Sequence, residues 1–146
     1  MRIIIDQLLA AVNDHDLNRM VALFHPDYRS SQPAHPARAF VGRSQVHANW
    51  AAMFAGIADF RAELGRSTQD GDTTWCEWAW FGMRTDKQPF EVHGVALFQV
   101  QENLIVAGTL YMEDVESEAI GIDQTVQHLA GSRPVTETEA DEKDGA

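Results

Sequence analysis

The stretch from Trp75 to Val115 constrains the fold of this chain more than any other part of the sequence. It contains three long runs of aromatic and β-branched residues, separated by Thr85–Pro89 and by Glu102-Asn103. Such runs predict strands, and the polar segments between them predict tight turns that join the strands as antiparallel hairpins. Strands of about 10 to 12 residues exceed the usual five or six, and strands this long make a twisted, curved sheet. The sequence therefore predicts a sheet with a concave side.

The alternation of side chains along these strands predicts which residues share a face of the sheet. Trp78 and Trp80 fall on one face, and so much aromatic surface requires an apolar cover. Glu77 falls on the opposite, outer face, as does His93 if Gly94 points inward. We expect Glu77 and His93 either to form a cross-strand pair or to lie in an interface between two copies of the chain.

The N-terminal part of the chain predicts three helices, which would supply that cover. Apolar positions at helical spacing predict a first helix that ends at Asn13–His15, and Asp16 suits the N-cap of a short second helix that ends before Pro26. Ser44 is expected to cap a third, longer helix. Its buried stripe is predicted to comprise Val46, Trp50, Met53, Phe54 and Ile57. Alternation from Phe60 to Leu64 predicts one further strand.

The net charge of -11 is concentrated towards the C-terminal end of the sequence. From Glu113 onward there are ten acidic and two basic residues, so this part carries -8 and the preceding part -3. We expect a folded domain over residues 1–116, a weak helix within 117–131 and an acidic disordered tail over 132–146. The tail would either fold on a partner or increase solubility.

The composition argues against several classes of protein. Arg and Lys are scattered singly, so nucleic-acid binding is not expected. The apolar run Ile3–Ile5 is too short for a signal peptide or a membrane span, and we expect a soluble cytoplasmic protein. The single cysteine, Cys76, lies in an apolar strand, which favours core packing in a reducing compartment. The six histidines show no paired ligand spacing, so we expect neither a metal nor another cofactor.

Several short motifs follow one another along the chain. They are Asn13–Asn18, Leu23–Tyr28, Phe40–Arg43, Asp70–Asp72, the spacing from Trp78 to Gly82, and Leu104–Val106 followed by Leu110–Asp114. Their order and spacing resemble the NTF2-like superfamily, in particular its SnoaL-like and ketosteroid-isomerase-like branch. The resemblance covers residues 3–115 and implies an α+β cone, a curved and mostly antiparallel sheet wrapped around a long helix with two further N-terminal helices. It also implies an apolar pocket between sheet and helices, and a homodimer formed through the outer sheet faces.

Ketosteroid isomerase chemistry is not expected from this resemblance. The isomerase pattern has a general-base Asp just before the proline that matches Pro33, whereas this chain has Gln32, which cannot accept a proton. The two oxyanion donors of the pattern fall at Leu8 and Gly94. The superfamily also includes cyclases, epoxide hydrolases, dehydratases and proteins without catalysis, so other residues must indicate the function.

His35 is the leading candidate for acid-base catalysis. Its imidazole can exchange a proton near neutral pH, and Pro33 and Pro36 would hold it at the expected pocket mouth. Solvated loop histidines are nevertheless common. Glu113 would be its acid-base partner if it pointed inward, because burial would raise the pKa of its carboxyl group. Pointing outward, Glu113 would be an interface charge.

Residues on the same loop, on the third helix and on the strands are candidates for ligand binding. Gln32 and Tyr111 offer hydrogen bonds, whereas the tryptophans indicate a flat or hydrophobic ligand. The set comprises Gln32, Trp50, Trp78, Trp80, Tyr111 and Met112.

Two functional hypotheses follow. In the first, the chain is a SnoaL-like enzyme of isomerase, cyclase or hydrolase type that acts on a small apolar or polycyclic substrate, with His35 as acid and base. In the second, it is a non-catalytic dimeric module that binds a ligand or fills the pocket with its own side chains. The two hypotheses differ in whether His35 and Glu113 point into a common cavity.

Overall fold

The computed structural model describes residues 2–131 and shows an α+β fold. The helices are α1 (Arg2–Asn13), α2 (Leu17–Val21), α3 (Arg43–Gly56) and α4 (Ile122–Leu129). The strands are β1 (Phe24–Ser31), β2 (Phe40–Val41), β3 (Arg61–Asp70), β4 (Thr73–Met83), β5 (Pro89–Gln101) and β6 (Leu104–Asp114). A single 3₁₀ turn covers Pro36–Arg38. The predicted acidic tail over 132–146 lies outside the described residues.

The six strands form one curved sheet in the order β2-β1-β6-β5-β4-β3. Neighbouring strands are antiparallel except β1 and β6, which are parallel. β5 has 13 residues, and β4 and β6 have 11 each. The α+β class and the predicted antiparallel hairpins of three long strands are confirmed. α3, with 14 residues, is the longest of the described helices.

The chain divides after Val115 into two compact units. The first unit contains α1 to α3 and the whole sheet. The second contains α4, in which the Thr125 hydroxyl donates a hydrogen bond to the carbonyl of Gly121 at 2.9 Å. All residues of the candidate site belong to the first unit.

One predicted helix boundary differs from the structure. α3 begins after Gly42, whose φ of 103° suits glycine, and Ser44 lies inside the helix without capping it. The second helix ends at Val21, before Pro26 as predicted, and β1 begins at Phe24. The pairing of β1 with β6 shifts register between Phe24 and Arg29, and such an irregularity tolerates a proline, which has no N–H to donate.

Side chains at the end of α1 and in the turn between α1 and α2 attach the helices to the sheet. The Asn13 side chain donates a hydrogen bond to the carbonyl of Ala62 at 3.0 Å and accepts one from its N–H at 2.7 Å. Nε2 of His15 hydrogen-bonds to the Phe60 carbonyl at 2.7 Å, and its ring stacks on Phe54 at 4.5 Å. These contacts hold α1 and α3 over one face of the sheet, called the inner face below.

The core lies between the helices and the inner face. On β4, Thr74, Cys76 and Trp78 are buried there, as alternation predicts. Burial raises the pKa of the Cys76 thiol to about 11, so the thiol is protonated at neutral pH and packs as an apolar group. Two of the five residues predicted for the buried stripe are buried, namely Val46 on α3 and Ile57, which directly follows the helix. The other three positions, Trp50, Met53 and Phe54, are only partly buried.

Candidate functional site

A cavity of about 480 Å³ lies between the helices and the inner face of the sheet. This volume is typical of small-molecule sites. Its apolar walls comprise Trp78, Trp80, Ala96, Phe98 and Leu110 of the sheet, Leu8, Val12 and Met20 of α1 and α2, and Val46, Trp50 and Met53 of α3. The partial burial of Trp50 and Met53 follows from this position, because both side chains border open space. The cavity is mainly apolar, and its tryptophans present broad, flat surfaces.

One side of the cavity is polar. Tyr28, Ser30 and Gln32 alternate along β1 and the residue after it, so their side chains share one face and line the cavity. Gln45 and Asn49 lie one turn apart on α3 and line it as well, and Gln45 donates a hydrogen bond to Asn49 at 2.7 Å. Tyr28 and Ser30 are buried, whereas Gln45 and Asn49 are exposed. The polar side therefore runs from a buried end at Tyr28 to an open end beside α3.

Tyr28 is the only ionisable residue that lines the cavity within residues 2–131. Burial raises the pKa of its hydroxyl group to about 12, and the neighbouring Ser30 side chain opposes this rise less strongly. A Cβ atom at Gly108 on β6 would overlap the Tyr28 hydroxyl, so glycine makes the space that the hydroxyl occupies. At neutral pH this hydroxyl is uncharged, and it can donate a hydrogen bond but is not a base.

His35 and Glu113 contact each other outside the cavity. Nε2 of His35 and Oε1 of Glu113 are 2.7 Å apart, and both side chains are partly exposed. Neither residue lines the cavity. Of the two orientations considered for Glu113, the structure shows the outward one, because the adjacent Met112 points to the buried inner face and side chains alternate along β6. The two predicted catalytic residues therefore meet, but not in a common cavity with the ligand-binding candidates.

Four of the six predicted ligand-binding residues line the cavity, namely Gln32, Trp50, Trp78 and Trp80. Tyr111 lies on the outer face of β6, where 49% of its surface is exposed. Met112 is buried on the inner face but is not part of the cavity wall. The geometry therefore separates the six candidates into four at the cavity and two away from it.

The predicted cross-strand pair between Glu77 and His93 is not formed. Glu77 binds Arg66 on β3, and His93 is 3.0 Å from Glu91 on its own strand. The reason is the register of β4 and β5, in which Glu77 lies opposite Val95, two residues away from His93. Alternation placed both side chains on the correct face but left their register open.

Sequence reasoning missed four polar residues of the cavity. Counting back from Gln32 in steps of two identifies Ser30 and Tyr28, and this strand periodicity was the available signal. Gln45 and Asn49 follow helical spacing, but nothing local distinguishes them from the solvated side of an amphipathic helix.

Within residues 2–131, no group of three or more His, Cys, Asp or Glu side chains is arranged to hold a metal ion. None of the helices in that range combines the length and the apolar character that crossing a membrane requires.

Solved structures with the same fold are numerous, and three are informative. A protein of ketosteroid isomerase-like fold from Catenulispora acidiphila, in complex with trimethylamine, has a TM-score of 0.65 at 22% identity, over 74% of this chain and 83% of its own. IdmH from Streptomyces antibioticus, a candidate polyketide cyclase, has a TM-score of 0.65 at 21% identity, over 75% and 89%. A candidate ketosteroid isomerase from Kribbella flavida has a TM-score of 0.64 at 17% identity, over 93% and 90%. At such low identity these similarities establish the fold alone.

Sequence comparison identifies the family. No curated protein matches the chain. The profile of the SnoaL-like domain matches residues 5–108, which is well over half of the 146 residues and includes the whole polar side of the cavity. The protein therefore belongs to the SnoaL-like domain family, with the NTF2-like fold that its motifs predict.

Proposed function

We propose that this chain is a small-molecule-binding domain whose ligand is uncharged, mainly apolar and large enough to be polycyclic. The observation that supports this most directly is the cavity of about 480 Å³, whose walls are mainly apolar. No Asp, Glu, His, Lys or Arg side chain within residues 2–131 lines it. Burying a charged ligand without an opposite charge costs several kcal/mol, roughly, so an uncharged ligand is favoured. Trp50, Trp78 and Trp80 suit the flat surface of fused rings.

Catalysis on such a ligand is the second candidate function. The direct contact between His35 and Glu113 favours it, because an imidazole and a carboxylate in contact are a common acid-base arrangement. The backbone N–H of His35 also donates a hydrogen bond to the backbone carbonyl of Gln32 at 2.8 Å, and the Gln32 side chain lines the cavity. An isomerase, cyclase or hydrolase reaction would require this segment to move until His35 reached the ligand. Binding, which requires no such movement, is the better-supported proposal.

The outer face of the sheet is the proposed homodimer interface. Trp75 and Tyr111 expose 45% and 49% of their surfaces there, and aromatic side chains are enriched at protein interfaces. We expect light scattering to show a dimer for the parent chain and a monomer for Tyr111→Arg. A monomeric parent chain would exclude this interface.

The proposed location is the cytoplasm. It depends on the single cysteine, Cys76, which is buried and unpaired. Fractionation of the source cells with an antibody against the chain tests it, and recovery in the extracellular fraction would contradict it.

The binding proposal is tested by closing the cavity. Ala52 and Ala55 are both exposed on α3, but only Ala52 lines the cavity. We expect Ala52→Trp to weaken the binding of fluorene, a flat tricyclic hydrocarbon, by about 10-fold or more in equilibrium dialysis, because the indole would occupy the opening. Ala55→Trp is the matched control and should bind fluorene as the parent chain does. Failure of the parent chain to bind fluorene, or equal binding by both variants, would contradict the proposal.

A further inference from the structure

The residues between β1 and β2 join two parts of the cavity wall. Gln32 and Phe40 both line the cavity and are partly exposed, so the wall borders solvent at this point. Residues 33–39, called the mouth segment below, lie between them and do not line the cavity. Six of these seven residues are exposed, and only His35 is partly buried. The mouth segment therefore lies beside the opening of the cavity, with little of the protein covering it.

The backbone hydrogen bonds of the mouth segment are local. The N–H groups of His35, Arg38 and Ala39 each donate to the carbonyl three residues earlier, at 2.8, 2.9 and 3.2 Å. Prolines at two of the seven positions restrict the backbone further. A segment that is stiff within itself moves as one body about the residues at its ends.

One side-chain contact joins the mouth segment to a distant strand. Nε2 of His35 lies 2.7 Å from Oε1 of Glu113 on β6. Within residues 2–131, this is the only hydrogen bond or ion pair between residues 33–39 and the rest of the chain, apart from those to Gln32. Both side chains are partly exposed, and exposed contacts of this kind are weak. The contact therefore holds the mouth segment against the sheet and opens readily.

Movement of the mouth segment would carry part of the cavity wall with it. The backbone carbonyl of Gln32 accepts a hydrogen bond from His35, and Oε1 of Gln32 accepts one from Nη1 of Arg38 at 3.1 Å. The Gln32 side chain, which lines the cavity, is thus tied to the segment at two atoms. Its displacement together with the segment would widen the opening.

We infer that the mouth segment is a gate that controls how fast a ligand enters and leaves the cavity, and that the contact of His35 with Glu113 is its latch. The inference rests on the proposed binding function and adds a conformational step to it. Glu113 acts through the position of the segment, so it is a positioning residue. Because the latch holds the same segment in the empty and the occupied protein, its loss raises both rate constants by the same factor and leaves the affinity unchanged.

Glu113→Ala removes the carboxylate of the latch, and Glu91→Ala is the matched control. Glu91 lies 3.0 Å from His93 on the same side of the sheet, so the control loses a similar contact that does not involve the mouth segment. We expect Glu113→Ala to raise the association and dissociation rate constants of fluorene about 2- to 5-fold each, because the loss of an exposed ion pair shifts an equilibrium by this amount. Glu91→Ala should change neither. Stopped-flow fluorescence of the lining tryptophans, with the full chain, measures both rate constants.

The outcomes separate the gate from the binding proposal. Unchanged rate constants in Glu113→Ala, or a rise in the dissociation rate constant alone, would overturn the gate and leave the binding proposal intact. Equal changes in Glu113→Ala and Glu91→Ala would overturn the gate as well, since the mouth segment would not be their cause. Failure of the parent chain to bind fluorene would overturn both proposals.

Limited proteolysis with trypsin gives a second readout that requires no ligand. Arg38 lies in the mouth segment, whereas Lys87 lies in the exposed turn between β4 and β5. Cleavage requires local opening of the chain, so its rate follows the open population. We expect Glu113→Ala to be cleaved after Arg38 about 2- to 5-fold faster than the parent chain, and after Lys87 at the parent rate. No acceleration after Arg38, or equal acceleration at both sites, would overturn the gate.

Discussion

The inner and outer faces of the sheet carry different chemistry, although the same strands supply both. The inner face bounds a cavity where Tyr28, the one ionisable lining residue among residues 2–131, is kept uncharged. The outer side carries the contact of His35 with Glu113 and that of His93 with Glu91. Because side chains alternate along a strand, one residue of displacement separates the two environments. The acid-base residues predicted from the sequence therefore lie on the solvated side of the sheet, whereas the cavity offers hydrogen bonds from uncharged groups.

Two tryptophans of β4 allow the sharpest test of this difference. Trp78 is 5% exposed on the inner face, whereas Trp75 is 45% exposed on the outer face. We expect Trp78→Ala to reduce the free energy of unfolding by about 3 to 5 kcal/mol, because a large buried side chain is lost. Trp75→Ala should cost less than about 1 kcal/mol. Denaturation with urea measures both values, and similar losses would show that the two faces are not distinct in burial.

A substitution at the contact between β1 and β6 should change the free energy of unfolding by a smaller amount. Gly108→Ala should reduce the free energy of unfolding by about 1 to 3 kcal/mol, since its methyl group would overlap the Tyr28 hydroxyl. In the double variant with Tyr28→Phe the cost should be smaller, because the overlapping atom is gone. A double-mutant cycle of denaturation midpoints measures this coupling. If the effects of the two substitutions were strictly additive, the Tyr28 hydroxyl would not occupy the space beside Gly108.

High pH should destabilise the parent chain through Tyr28. The unfolded chain loses the tyrosine proton near pH 10, but the folded chain keeps it until about pH 12, so the free energy of unfolding falls as pH rises between these values. We expect this group alone to account for about 1.3 kcal/mol between about pH 9 and pH 11. Over this pH range the free energy of unfolding of Tyr28→Phe should fall by about 1.3 kcal/mol less than that of the parent chain. That of Tyr111→Phe should fall as much as that of the parent chain. The measurement is urea denaturation at both pH values, and parallel curves for all three proteins would contradict the assignment.

Removing the contact between His35 and Glu113 on the outer side should change the free energy of unfolding least of all. We expect Glu113→Gln to change the free energy of unfolding by less than about 1 kcal/mol, because exposed ion pairs contribute little. We also expect the variant to bind fluorene as the parent chain does, since Glu113 does not line the cavity. Equilibrium dialysis and denaturation measure the two quantities. A clear loss of binding would favour the enzyme hypothesis, in which His35 and Glu113 act at the ligand.

Prediction from the sequence succeeded where periodicity is strong. Alternation placed Trp78 and Trp80 on the cavity side of β4, and helical spacing placed Val46 in the core. Prediction was less accurate where local signals conflict. Ser44 has the chemistry of a helix cap, but the turn that α3 requires has a positive φ, which Gly42 provides. Pro26 suggested a break in the chain, yet it lies at an irregularity within a strand.

The sequence by itself determined the fold class, because the order of helices and long alternating strands admits few arrangements and its motifs match the SnoaL-like family. It also determined that the cavity would be aromatic. Only the tertiary structure decided which polar residues meet there. The parallel pairing of β1 with β6 brings Tyr28 against Gly108, and the same packing brings His35 to Glu113 on the opposite side. Such contacts join residues far apart in the chain, and their register is set by packing rather than by any local preference.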